Sequence, residues 1–430
     1  MKNTPHGSRS HIETSPGSRT SPAPQGVFKM LMPELQRAVA AAGYHTPTPI
    51  QEQCIPPLLD DRDLLGSAQT GTGKTAAFAL PLLQRLAAHK QRPQRNRPRA
   101  LILAPTRELA AQVDDSIETY GRYLKISHAA IYGGVKQTGQ VKALNHGIDV
   151  VVATPGRLLD LMQQGHIRLA NIEVFILDEV DRMLDMGFIP DIKRVIAKIP
   201  EQRQNLFFSA TMPPKLADLA KTMLQNPVRV ALSHQEPAVE CIDQNVIFVG
   251  TKNKKALLLD ILRDTAVSKA LVFTQMKHAA NKLVDKLRKA GLPGTAIHGN
   301  KSQGARSRAL DGFKHGKYQI LVATDVAARG LDVDDISHVI NYDMPVEAET
   351  YVHRIGRTGR AGAEGTAISF CSADERAHLR DIERLLGKPV PVDAENPYHS
   401  EEARQSRAPK ASRARKGGRR PGRGGARSRA

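Results

Sequence analysis

Four short apolar runs, ALILAPT (100–106), DVVVATP (149–155), EVFILDE (173–179) and NLFFSAT (205–211), each end in small or polar residues and lead into a helix-like segment. An uninterrupted apolar run with a polar end reads as a strand buried on both faces. Its alternation with amphipathic stretches reads as a parallel sheet covered by helices. The alternation stalls at NPVRVALSHQEPAVECID (226–243), which lacks helical periodicity and carries two prolines. It then resumes. NVIFVG, KALVFTQ, GTAIHG, QILVATD, HVINYD and GTAISF read as strands, with KKALLLDILRD, KHAANKLVDKLRKA and QGARSRALDGFK as helices between them. The expectation is therefore two tandem α/β domains with parallel sheets, at 27–231 and 243–388, joined by a linker at 232–242. Disordered ends are expected at 1–26 and 389–430.

The charge is unevenly spread. The 430 residues carry a formal net charge of +19, and residues 404–430 alone hold eleven Lys/Arg and no acid. Such a tail points to a polyanion, most simply nucleic acid, with a solubilising extension as the other reading. With no Trp and 4% aromatic residues, stacking platforms for bases are not expected, so contact should run through the nucleic-acid backbone. The basic stretch HKQRPQRNRPR (89–99) reads as a solvated loop, or otherwise as an auxiliary nucleic-acid contact. No apolar run reaches the ~18 residues of a membrane span, and the polar, Ser- and Pro-rich N-terminus lacks the apolar core of a secretory signal. Cys54, Cys241 and Cys371 form no CxxC pair and no framework. A reduced, cytoplasmic chain is the expectation.

The most chemical segment is AQTGTGKT (68–75), set between the strand-like DLLG and the apolar helix AAFALPLLQRL. A glycine-rich turn there aims backbone N–H groups at phosphate, at a helix N-terminus that favours negative charge. Lys74 is placed for the β/γ-phosphates, and the Thr75 hydroxyl for Mg²⁺. The strict phosphate-loop pattern has glycine where this chain has Ala68. About a hundred residues on, Asp178 and Glu179 end the apolar run VFIL. A carboxylate at a strand's C-terminal edge suits a metal ligand, and its neighbour is placed to orient or deprotonate an attacking water. Nucleotide phosphates and Mg²⁺ are the ligands this combination implies.

Further motifs follow in a fixed order: GYHTPTPIQ (43–51), PTRELA (105–110), GG (133–134), TPGR (154–157), DEVD (178–181) and SAT (209–211), then VFT (272–274), QGAR (303–306), ATDVAARGLD (323–332) and HRIGRTGR (353–360). In this order and spacing the chain resembles a DEAD-box RNA helicase of helicase superfamily 2. HGNKSQGAR and DRMLDMGF resemble its bacterial RhlE-like branch.

That resemblance implies a fold of two RecA-like domains and a set of roles. The nucleotide is held by Ala68, Gln69, Thr70, Gly71, Thr72, Gly73, Lys74 and Thr75, with Gln51 reading adenine, Phe28 stacking on it and Asp332 near the ribose. Arg357 and Arg360 act as arginine fingers on the γ-phosphate, beside the catalytic Lys74, Asp178 and Glu179. Asp181, Ser209, Thr211 and His353 form a coupling network. RNA is met by Pro105, Thr106, Arg107, Glu108, Gly133, Gly134, Thr154, Pro155, Gly156 and Arg157 in the first domain, and by Thr274, Gln303, Arg306 and Thr324 in the second. A cleft between the domains closes on ATP and RNA and separates short duplexes locally, with ribosome assembly or RNA decay as candidate settings.

Two departures stand out. Val180 replaces the usual alanine of the DEAD tetrad, an expected packing effect, and VFKMLMPELQ (27–36) is about two residues shorter than usual between Phe28 and its helix. Two other functions are compatible with the same motifs: an RNA chaperone or clamp that anneals through its basic tail, and a superfamily-2 DNA translocase.

Overall fold

The computed structural model describes residues 24–68, 72–89, 91–231, 242–264, 266–328, 333, 335–359 and 365–406. The chain divides into two compact units, Met1–His234 and Gln235–Ala430. The expected linker (all but Ile242), most of the N-terminal extension and residues 407–430 of the basic tail lie outside the described residues.

In the first unit the described strands are β1 (Leu64–Ser67), β2 (Ala100–Leu103), β3 (His128–Ile131), β4 (Val150–Ala153), β5 (Val174–Leu177), β6 (Gln204–Ser209) and β7 (Val228–Ala231). They form one parallel sheet in the order β3-β4-β2-β5-β6-β1-β7. The alternation of side chains across a strand divides the core into two layers. Leu206 and Phe208 of β6 pack with Phe78 and Ile55 on one face, and Phe208 lies 5.4 Å from the Phe78 ring. Phe207, between them, packs with Phe175 and Leu101 on the other. Each fully buried phenylalanine contributes about 1.5–3 kcal/mol of burial free energy, and helices are held on both faces by this two-sided apolar surface.

The second unit repeats the plan. Its strands are β8 (Ile242–Phe248), β9 (Ala270–Phe273), β10 (Gly294–Ile297), β11 (Ile320–Ala323), β12 (His338–Asn341) and β13 (Gly365–Cys371), parallel in the order β10-β11-β9-β12-β13-β8. The α/β fold with two parallel-sheet, RecA-like units is therefore the observed one.

Three expectations need correction. The stretch at 226 does not stall at once, since Val228–Ala231 adds β7 to the sheet beside β1. It was hidden because an edge strand faces solvent on alternate residues and lacks a continuous apolar run. The second unit does not end at 388. Pro391 accepts from Val246 at 2.8 Å, Asp393 donates to the Val246 carbonyl at 3.0 Å and Ser400 to that of Phe248 at 2.7 Å. Val390 and Ala403 are core residues. This polar segment covers the open edge of β8, whose backbone groups would otherwise stand unpaired. Finally, Arg99 of the basic stretch is buried, with its Nε 2.7 Å from Glu173 Oε1.

Candidate nucleotide and nucleic-acid site

In the first unit six motifs, all but GYHTPTPIQ, lie at or just after the C-terminal ends of strands, the edge where ligands of open parallel sheets bind. The sheet order sorts them. β1, β5 and β6 are neighbours and carry AQTGTGKT, DEVD and SAT, while β3, β4 and β2 carry GG, TPGR and PTRELA. One edge therefore presents two adjoining fields.

In the first field the helix Lys74–Ala88 starts from Gly73, whose φ of +93° is left-handed. A Cβ there would collide with the Gln51 amide and the Thr48 hydroxyl. Gln51 is held from both sides. It closes a capping box by accepting from the Thr48 N–H at 2.9 Å, and its Nε2 donates to the Gly73 carbonyl at 3.2 Å. A carboxamide has two lone pairs and two N–H groups, so one of each remains for a base edge. Lys74 is buried and donates to the Ala68 carbonyl at 2.8 Å, which keeps the ammonium at the mouth of the loop. Thr72 and Thr75 are half-buried beside it. Gln69, Thr70, Gly71, Asp332 and Arg360 lie outside the described residues.

Asp178 ends β5 and is 2% exposed. Burial, and then the Glu179 charge, push its carboxyl above the usual range against the pull of Lys74 and Arg182. Among the described residues no hydrogen-bond donor meets its buried Oδ1. An orphaned carboxylate oxygen facing a phosphate loop fits a hard, oxygen-seeking cation such as Mg²⁺. No cluster of three or more His, Cys, Asp or Glu exists among the described residues.

Glu179 adopts φ 54°, ψ 55° and is buried, a conformation that costs a non-glycine residue of order 1–3 kcal/mol and concentrates at functional sites. Its carboxylate pairs with Arg182, one helical turn on. Arg182 was not singled out from sequence, although its i,i+3 spacing from Glu179 could have flagged it. Asp181 gathers the SAT segment: Oδ2 accepts from the Ala210 and Thr211 amides at 3.0 and 2.9 Å, and its own N–H donates to Ser209 Oγ at 3.2 Å. Three of the four residues expected to form the coupling network thus meet in the first unit. His353, the fourth, stands on the helix Ala348–Ile355 of the second. Val180 is fully buried in the core, in keeping with its reading as a packing position.

In the second field Thr106 caps the helix Arg107–Gly121 by accepting from the Leu109 N–H at 3.2 Å. Arg107 lies against Gly133 and Gly134, and a Cβ on Gly134 would fall inside its guanidinium. Arg157 donates to Gln140 Oε1 at 3.4 Å, and Gln140 in turn donates to the Tyr132 carbonyl at 2.9 Å. Gln140, not singled out from sequence, therefore ties TPGR to the GG loop. Thr154 and Pro155 are buried at the start of the helix Pro155–Gln163, and Gly156 is exposed.

Three sequence-based roles do not fit their placement. Phe28 is 1% exposed among core residues, so neither ring face is open to a base. Glu108 is 7% exposed, and a buried carboxylate has no attraction for phosphate. Thr274 is 0% exposed and donates its hydroxyl to Asp343 Oδ2 at 2.7 Å, which makes it a positioning residue.

In the second unit Gln303 opens the helix Gln303–Lys314, Arg306 is half-buried one turn on, and Thr324 heads the helix Asp325–Ala328. Arg357, buried, follows the helix Ala348–Ile355. Arg354 is the missed residue here. Wholly buried, it joins Asp325 of the ATD motif to β12 by donating to Asn341 Oδ1 at 3.0 Å.

Comparison with known proteins agrees with this geometry. Residues 48–219 match the family model for the DEAD/DEAH box helicase, and residues 253–362 that for the helicase conserved C-terminal domain. The chain is similar to the ATP-dependent RNA helicase DbpA of Bacillus subtilis, at 41% identity over 86% of this chain and 76% of that protein. It is also similar to DEAD-box ATP-dependent RNA helicase 30 of Arabidopsis thaliana, at 41% identity over 89% of this chain and 66% of that one. Among solved structures, S. cerevisiae Dbp5 bound to RNA and ADP BeF3 matches with a TM-score of 0.76 and 33% identity, covering 86% and 96% of the two chains. The chain spans between 52% and 66% of the length of several curated relatives.

Proposed function

The chain belongs to the DEAD/DEAH box helicase family, and from that premise we propose that it is an ATP-dependent RNA helicase that hydrolyses ATP when RNA is bound and separates short duplexes locally. The observation that carries this reading is the division of one sheet edge into two adjoining fields, one built for a nucleotide and one rich in backbone amides, hydroxyls and arginine.

In the proposed chemistry Lys74 and the loop 68–75 bind the phosphates, and Gln51 meets the adenine edge. Asp178 and Thr75 would hold Mg²⁺, which neutralises charge on the phosphate oxygens when bound. Glu179 takes a proton from the attacking water. Arg357 and Arg360 neutralise the transferring phosphoryl group, because a planar guanidinium matches charge spread over its oxygens. Asp332 contacts the ribose, and His353 works with Asp181, Ser209 and Thr211.

RNA phosphates and sugars are met by Pro105, Thr106, Arg107, Gly133, Gly134, Thr154, Pro155, Gly156 and Arg157, and by Gln303, Arg306 and Thr324 in the second unit. In this reading residues of both units serve both ligands, so binding of ATP and of RNA is reciprocally coupled and each raises the other's affinity. HGNKSQGAR and DRMLDMGF support an RhlE-like bacterial enzyme, working in the cytoplasm on ribosome assembly or RNA decay, and the basic tail supplies an added RNA contact.

The test is steady-state ATPase without nucleic acid, with single-stranded RNA, and with the same sequence as DNA at one salt concentration. Stimulation by RNA alone is expected. Equal stimulation by DNA would indicate a translocase, and no stimulation a clamp that anneals through its tail.

A further inference from the structure

The first unit holds a groove of about 600 Å³, lined by none of the motif residues, between the C-terminal end of the helix Pro155–Gln163, the segment 167–170 and the end of the helix Ile189–Ile196. Its floor is aliphatic, formed by Leu159, Met162, Ile167 and Leu169, and its rim carries Arg168, Arg194 and Lys198. The size falls within the ~300–1,000 Å³ typical of ligand clefts. Arg194 pairs with Asp191 at 3.3 Å and stays largely exposed. Among the described residues no carboxylate stands within ion-pair distance of Arg168 or Lys198, both exposed. The groove thus combines an apolar floor with a rim of net positive charge.

We propose that this groove docks an acidic, amphipathic helical segment of a partner protein. The charge complementarity is direct, since the rim asks for carboxylates flanking the anchor and the floor asks for aliphatic side chains at i, i+3, i+4 and i+7. RNA fits the same surface poorly. The lining has no aromatic ring for a base to stack on, and four aliphatic side chains offer nothing to a ribose or a phosphate.

The position also gives the partner leverage. The helix Pro155–Gln163 begins at the TPGR motif, and the helix Ile189–Ile196 follows the DEVD helix Val180–Asp185 after three residues. A segment wedged between their far ends would touch the helix that TPGR opens and the helix that follows the DEVD helix, without occupying either motif field.

The experiment uses the full chain and an acetylated, amidated peptide with leucines at i, i+3, i+4 and i+7 and glutamates elsewhere, titrated by fluorescence anisotropy. Saturable binding is expected. It should weaken about tenfold or more in the double variant Arg168→Glu/Lys198→Glu, whose basal ATPase is unchanged. Met162→Glu, which puts a carboxylate into the floor, should lose binding while leaving the rim intact. Three results would overturn the proposal: no binding of the acidic peptide; equal binding of a scrambled peptide or of one with lysines for glutamates; or rim variants that weaken single-stranded RNA and leave the peptide untouched. Failure of RNA to stimulate ATPase would overturn the helicase reading and leave the docking result standing.

Discussion

Arg354 holds Asp325 by two parallel hydrogen bonds, Nε to Oδ1 at 2.6 Å and Nη2 to Oδ2 at 2.8 Å, inside the second unit. Its Nη1 donates to the Asp343 carbonyl at 2.6 Å, and the guanidinium lies 4.9 Å from the Phe273 ring centroid. The arginine is 1% exposed, so removing its partner's charge leaves a buried cation uncompensated, at a cost of about 3–5 kcal/mol. Asp325→Asn is expected to lower protection of β9, β11 and β12 in hydrogen exchange on the full chain, with β1–β7 unchanged. Equal loss in both sheets would show that the pair is not local to this unit.

The strands legible in the sequence were those buried on both faces. VFIL and VVVA announce themselves because nothing polar interrupts them, and the chemistry follows because each ends in a motif. Val228–Ala231 was missed because Arg229 and Ala231 are exposed and only Val230 is buried. The segment 389–406 was missed because a polar chain that covers a sheet edge does so with its backbone. The same limit applies to the site. Residue types marked Lys74, Asp178 and Glu179, but they could not tell that Thr274 spends its hydroxyl on Asp343, 69 positions away. They also could not tell that Gln140 joins two motifs, since a glutamine's partners depend on which strands are neighbours.

Glu179 is held in the left-handed region, where the other non-glycine residues among those described are all Asn or Asp, and the proposed chemistry makes it the base. Glu179→Gln keeps the shape and the acceptor oxygen but cannot take a proton. It is expected to bind ATP and RNA and to lose about 10²–10⁴-fold in turnover. Lys74→Ala should abolish ATP binding itself, because the ammonium that meets the phosphates is gone. Single-turnover hydrolysis and nucleotide titration separate the two, and wild-type turnover by Glu179→Gln would remove it from the base role.

His128, at the start of β3, lies 2.8 Å from Asp114, each partner about a fifth exposed. The hydrogen bond to Asp114 raises its pKa above the ordinary 6.5. A group with a raised folded-state pKa adds stability that is fully present below the unfolded value and is lost as pH rises through the folded one. Stability should therefore fall as pH rises from about 6.5 through the neutral range, and Asp114→Asn should flatten that dependence. Denaturant midpoints of both proteins across the range check it. An unchanged slope would mean that the contact carries no net charge energy.

Two truncations separate the packed end of the chain from its charge. Removing 407–430 deletes ten Lys/Arg and none of the residues that cover β8. Each cation that neutralises a phosphate contributes about −0.7 to the slope of log K against log salt on single strands, so RNA affinity should weaken and its salt dependence flatten while stability holds. Ending the chain at 388 removes Val390 and Ala403 from the core and uncovers the backbone of β8. That loss should lower the unfolding midpoint whatever the salt. If the shorter deletion left the salt slope as it was, the tail would be a solubilising extension, and if the longer one left the midpoint unmoved, the segment 389–406 would carry none of the unit's stability.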